Sequence, residues 1–153
     1  MSVKPITAKQ YRKKLNQATL KFRGFTLPPE GWIRTARKAL GMSAAQLARR
    51  LGRTRALISN MEKAELNGGV TLRTMRSMAE AVNCRFIYAF VPEENAEVLI
   101  KRRAREKAKR HVMETAEHMA LEQQILSQSQ IEFEIERITE NIFKEQPSDL
   151  WND

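Results

Sequence analysis

Apolar residues recur every three to four positions over most of this chain, the spacing of helices that bury one face. Near the start, Tyr11, Leu15, Ala18 and Phe22 predict a helix over Thr7–Arg23. Gly24 ends it, and Pro28-Pro29 makes a stiff linker. Four short helices are expected between Gly31 and Val82. The first, about Gly31–Leu40, turns Ile33, Ala36 and Leu40 inward and closes at Gly41. The second begins at Ser43, with Gln46 three residues on as its capping-box partner, buries Leu47, Ala48 and Leu51, and stops at Gly52. The third starts at Thr54 and runs to about Lys63 with Ile58 and Met61 inward; the fourth starts near Thr71 and carries Leu72, Met75, Met78, Ala79 and Val82. Asn67-Gly68-Gly69 reads as the loop between them.

The pattern then changes. Cys84 to Val91 is β-branched and aromatic, bounded by Asn83 and Pro92, and predicts a short strand covered on both faces, with Cys84 buried in it. A lone strand leaves its backbone groups unpaired, so it is expected to pair with its two-fold mate across a dimer. Beyond Pro92 a long helix is expected from about Glu94 to Gln124, with Ile100, Ala104, Ala108, Val112 and Ala116 in an i, i+4 row whose small residues permit close helix approach. A last helix is expected from Ser129, with Glu132 as its capping-box partner and Ile131, Ile135, Ile138 and Ile142 on one face. The tail reads as loosely held, with Trp151 its one candidate anchor. The expected fold is therefore mainly α. A basic N-terminal helix and linker fill residues 1–30, a helical bundle 31–82, a dimer-pairing β-strand 83–92, and C-terminal helices for dimer or partner contact 93–153.

Composition supports an all-α chain with a packed core: hydrophobic residues make up 42% and aromatic residues 7%. No apolar run is long enough to span a bilayer and no secretory signal is evident, so a cytoplasmic location and no membrane partner are expected. The single cysteine, Cys84, allows no internal disulfide. Charge is informative through its placement. Within the net +9, residues 1–30 hold seven Lys/Arg against Glu30, and residues 31–92 hold eleven against Glu62, Glu65 and Glu80. Residues 93–153 reverse the balance, with nine basic against fourteen acidic. The basic part suits a polyanionic partner. The basic run Lys101–Arg110 is expected to be a solvated face or to pair with acidic residues.

Two capped helices joined by Leu51-Gly52-Arg53-Thr54 form the unit GMSAAQLARRLGRTRALISNMEKAE, which resembles the Cro/CI-like (XRE) helix-turn-helix family over about residues 31–82. Two positions depart from that pattern: Arg53 stands where an apolar turn residue is usual, and Leu57 where a small one is usual. Over the whole chain, Gly31-Trp32-Ile33-Arg34, Gly69-Val70-Thr71-Leu72, Phe86 to Pro92, Met119-Ala120-Leu121-Glu122 and Leu150-Trp151 are similar to the family called mobile mystery protein A. That resemblance implies a neighbouring Fic-domain protein and an antitoxin-like arrangement. The helix-turn-helix resemblance implies double-stranded DNA as partner, with the third helix of the bundle in the major groove. Arg55, Ala56, Ser59 and Asn60 are then the base-reading candidates. Ser43, Ala44, Gln46, Arg53, Thr54 and Lys63 are candidates for phosphate contacts, although Ser43, Gln46 and Thr54 could be caps and nothing more, which is the favoured reading for Ser43 and Gln46. Glu62 is expected to be a structural anion.

Phe86, Tyr88, Phe90, Ile100, Ala104, Ala108, Ile131, Ile135 and Ile138 are the candidates for dimer or partner contact. The leading expectation is a homodimeric repressor on an inverted repeat; the alternative is an antitoxin-like protein that binds a Fic-domain partner and autoregulates its operon. His111, Glu114 and His118 make a poor metal set, and no catalytic motif or cofactor-binding loop is present, so neither enzyme activity, metal nor cofactor is expected.

Overall fold

The computed structural model describes residues 5–153 and contains seven helices among them. In order these are α1 (Pro5–Phe22), α2 (Trp32–Ala39), α3 (Ala44–Leu51), α4 (Arg55–Asn67), α5 (Leu72–Ala81), α6 (Ala96–Leu121) and α7 (Gln128–Glu145). Two compact units emerge: residues 24–89, which we call the head, and a second unit of α1 with residues 90–153. None of the described helices is long and apolar enough to cross a membrane.

The head is α2–α5 around one core of Ile33, Leu47, Ala48, Ile58, Met75, Met78 and Val82. Local chemistry starts each helix. Ser43 Oγ accepts the Gln46 amide and Gln46 Oε1 accepts the Ser43 amide, so α3 opens with a full capping box. Thr54 and Thr71 cap α4 and α5 through the amides of Leu57 and Thr74. α2 is capped from a distance: the Glu65 carboxylate, on α4, accepts the Trp32 amide at 2.6 Å and the Ile33 amide at 2.9 Å. Gly31 just before it has φ 83°, and a Cβ there would lie 2.9 Å from that carboxylate. A negative group at a helix N-terminus meets both its unpaired amides and its dipole.

In the second unit α6 and α7 form an antiparallel hairpin. Ala104 and Ala108 are fully buried on α6, and Ala108 with Val112 and Ile135 forms the seam, joined by Ile131, Ile138 and Ile142. The alanines let the two backbones approach closely. α1 is tied to this hairpin by polar groups. Asn16 accepts the Ala96 amide at 2.8 Å and donates to Glu97 at 2.9 Å, while Arg12 donates to Glu97 and to Gln146. Burial works to raise the Glu97 pKa. The hydrogen bonds from Asn16 and its own backbone amide, with the charge and hydrogen bond of Arg12, outweigh that and hold the carboxyl below its usual range. The tail is anchored by Leu150, which is buried, and by Arg103, which donates to the carbonyls of Leu150 and Asn152 and lies over the Trp151 ring.

Four sequence expectations are corrected. Residues 84–91 form no strand, and among the described residues none supplies a ladder partner. Phe86 packs on the head core, whereas Ile87, Tyr88, Phe90 and Val91 are exposed, and so is Cys84. The last helix is capped by Ser127 with Gln130, not by Ser129 with Glu132; Glu132 pairs with Arg105 at 2.6 Å. Leu40, expected to face inward, is 55% exposed at the C-cap of α2. α4 continues past Lys63 to Asn67, which is what brings Glu65 to α2.

Gly31→Ala is expected to destabilise the head by about 2–3 kcal/mol, from backbone strain at positive φ and from displacement of the Glu65 cap. Chemical denaturation monitored on the head checks this, and an unchanged midpoint would refute the account of the cap.

Candidate nucleic-acid interface

The turn between α3 and α4 is made by Gly52, whose φ of 62° lets the chain reverse. The Arg53 amide returns to the Ala48 carbonyl at 2.8 Å, which closes α3, and Thr54 opens α4 directly after it. The turn geometry sets the outward face of α4. Its inward positions are Ile58, fully buried, with Met61, Glu62 and Glu65. The solvent-facing positions, Arg55, Ala56, Ser59, Asn60 and Lys63, are spaced i, i+1, i+4, i+5 and i+8 and so share one face, which Glu62 borders beside Arg55 and Ser59. Ser59 is half-buried and the other four are exposed.

Arg55, Ser59 and Lys63 line an open cleft of about 430 Å³ together with Ser43 and Ala44 from the start of α3 and Arg34 and Arg37 from α2. Ala56 and Asn60 lie beside it on the same helix, and Arg53 is exposed in the turn. Among the described residues, the amides of Ala44 and Ala45 at the first turn of α3 have no internal acceptor. Gln46 commits its Oε1 to the Ser43 amide, which leaves its NH2 group as a donor. Thr54 Oγ1 accepts the Leu57 amide and keeps its hydroxyl proton to donate. The first turns of α3 and α4 thus present donors and no carboxylate.

Behind this face, Arg37 Nε donates to Glu62 Oε1 at 2.7 Å and Arg37 Nη1 to the Met42 carbonyl at 3.0 Å. Both side chains are only 12% exposed. Glu62 is therefore neutralised within the head, and its charge is not presented alone to the cleft. Arg50 closes the other side by donating to the Ala81 carbonyl at the end of α5. Arg53, Arg55 and Lys63 make no ion pair among the described residues.

The second unit treats its cations differently. Lys101 pairs with Glu140, Arg102 with Glu94, Arg105 with Glu132 and Glu136, and Lys107 with Asp149. Most of the basic run is thus matched inside the unit. Of the residues considered for dimer or partner contact, Ala104, Ala108 and Ile135 are buried in the hairpin; Ile100, Ile131 and Ile138 are half-buried; Tyr88 and Phe90 are exposed. Three residues of the head escaped sequence reasoning. Glu65 acts across α2 and α4, which no local pattern reveals. Glu30 and Arg34 line the cleft, and their i, i+4 spacing was the available signal.

With that geometry in place, residues 33–88 match the family described as Helix-turn-helix, of the XRE type. The match covers α2–α5 and the segment after them, and this family is a DNA-binding, non-enzymatic domain. No curated protein and no solved structure matches the chain.

Breaking the buried pair by Glu62→Ala is expected to destabilise the head by about 3 kcal/mol, because Arg37 is left charged and unpaired. Replacing both partners, Arg37→Met with Glu62→Leu, is expected to cost less than the single change. Thermal or denaturant unfolding of the three variants checks the order; a double variant less stable than Glu62→Ala would contradict it.

Proposed function

We propose that the protein is a sequence-specific transcription repressor that binds double-stranded DNA as a homodimer on an inverted repeat. The observation that carries this reading is the outward face of α4, where Arg55, Ala56, Ser59, Asn60 and Lys63 stand free of carboxylate partners beside a helix-turn-helix turn. In such a unit this helix enters the major groove and its first turns meet base edges. Arg55 is suited to a bidentate grip on guanine and Asn60 to adenine, with Ala56 against a thymine methyl and the Ser59 hydroxyl able to donate to or accept from a base edge. Lys63, Arg53 and Thr54 would hold backbone phosphates, together with Gln46 and the free amides at Ala44 of the α3 start. One reading helix spans few base pairs. A two-fold pair on half-sites about one helical turn apart supplies the remaining specificity.

A second reading has one observation in its favour. Leu121, Ile125 and Phe133, at 83%, 86% and 68% exposure, leave apolar surface around the α6–α7 connection that a protein partner would cover. It agrees with the antitoxin-like role implied by likeness to the mobile mystery protein A family, with a Fic-domain protein as partner and DNA binding for autoregulation.

Footprinting is expected to protect a two-fold site upstream of the protein's own gene, with affinity that falls steeply as salt rises. An Arg55→Ala/Ser59→Ala/Asn60→Ala variant is expected to keep its fold and lose the site by at least about a hundredfold, since each good base contact contributes on the order of 1–3 kcal/mol. Wild-type affinity in that variant would sink the reading. For the second role, co-expression with the neighbouring gene product is expected to yield a stoichiometric complex that Phe133→Glu disrupts; no complex at all would reject it.

A further inference from the structure

Glu30 stands just ahead of α2, and its carboxylate is shared between two cations on successive turns of that helix. It lies 3.8 Å from Arg34 Nε and 3.3 Å from Lys38 Nζ. Glu30 and Arg34 line the same cleft as Arg55 and Lys63. We propose that Glu30 is an internal stand-in for a DNA phosphate, keeping Arg34 and Lys38 occupied in the free protein and lowering the affinity of the head for DNA of any sequence. The role rests on the DNA-binding reading above and adds to it a residue that opposes binding.

The two anions of the cleft differ in a way that supports this. Glu62 and Arg37 are each 12% exposed and locked together by a short bond, so their pairing is part of the fold. Glu30, Arg34 and Lys38 are 48%, 47% and 49% exposed, and their separations are long. A wet, loose pair of this kind contributes little to stability and exchanges partners readily. A phosphate offers a guanidinium two acceptor oxygens and a stronger charge-assisted bond. When it takes Arg34 or Lys38, the Glu30 carboxylate is left beside a polyanion and must recruit a counterion from solution. That counterion uptake offsets part of the counterion release that drives binding. Base contacts are not involved, so the penalty is the same on cognate and unrelated DNA.

The test measures binding of the full-length protein to two duplexes of equal length, one carrying the footprinted site and one scrambled, over a range of salt. Glu30→Gln is expected to bind both more tightly by a similar factor, roughly three- to tenfold at low salt, with a log–log salt slope steeper by about one unit. Glu80→Gln is the control. Glu80 is exposed on α5 and makes no ion pair among the described residues, so the change removes the same formal charge outside the cleft. In an Arg34→Ala/Lys38→Ala background the Glu30→Gln gain is expected to shrink to the Glu80→Gln level. A gain no larger than that of Glu80→Gln, or one confined to the cognate duplex, overturns the role of Glu30 and leaves the DNA reading standing. Absence of wild-type binding to either duplex overturns both.

Discussion

A guanidinium and a carboxylate that are each only 12% exposed are largely cut off from water, and Arg37 and Glu62 meet at 2.7 Å. That contact ties α2 to the inward face of α4, and it recruits the Met42 carbonyl just before α3 as well. Three helices are thereby indexed to one ion pair. One turn further along α4, Glu65 holds the opening amides of α2. With its inner face held at two successive turns, α4 has little freedom to roll about its axis. Its outward residues are consequently presented in a set direction, which is what reading base edges requires.

Charge is handled in opposite ways by the two units. In the second unit, cations and anions of α6, α7 and the tail neutralise each other, so a run that looks strongly basic in the sequence is nearly spent on internal pairing. In the head, Arg53, Arg55 and Lys63 are left without anionic partners beside helix N-termini. Counting charges along the chain separates the two halves but not these two uses. Only the pairing distances distinguish a cation that supports the fold from one left over for a ligand.

Features governed by neighbours in sequence were legible before the structure. The Ser43–Gln46 box, the caps at Thr54 and Thr71, the reversal at Gly52 and the alanine row of α6 all follow from local spacing. So did the face of α4, because helical arithmetic puts residues 55, 56, 59, 60 and 63 together. Features decided by competition between distant groups were not. Ser127-x-x-Gln130 and Ser129-x-x-Glu132 satisfy the same capping pattern; the helix takes the first, while Glu132 pairs with Arg105 on another helix. The apolar period of α1 runs through Tyr11, yet Tyr11 is 67% exposed, and the hydrogen bonds that tie this helix to the hairpin come from Arg12 and Asn16. The β-rich composition of residues 84–91 suits a strand, yet among the described residues no second strand is at hand to pair with it and none forms. Glu65 and Glu30 were missed for the same reason: their importance lies in what folding brings beside them.

The docking of α1 onto the α6–α7 hairpin has a consequence for the order in which the molecule can form. The head is complete in the stretch from residue 24 to residue 89, whereas the unit containing α1 is interrupted by it. The partners of Arg12 and Asn16 lie 80 to 134 residues further along the chain. During synthesis the head therefore has all its parts long before α1 has any of its own. α1 must wait, exposed, until α6 and the end of α7 have emerged. The head is built early and alone; α1, made before it, is among the last to find its place.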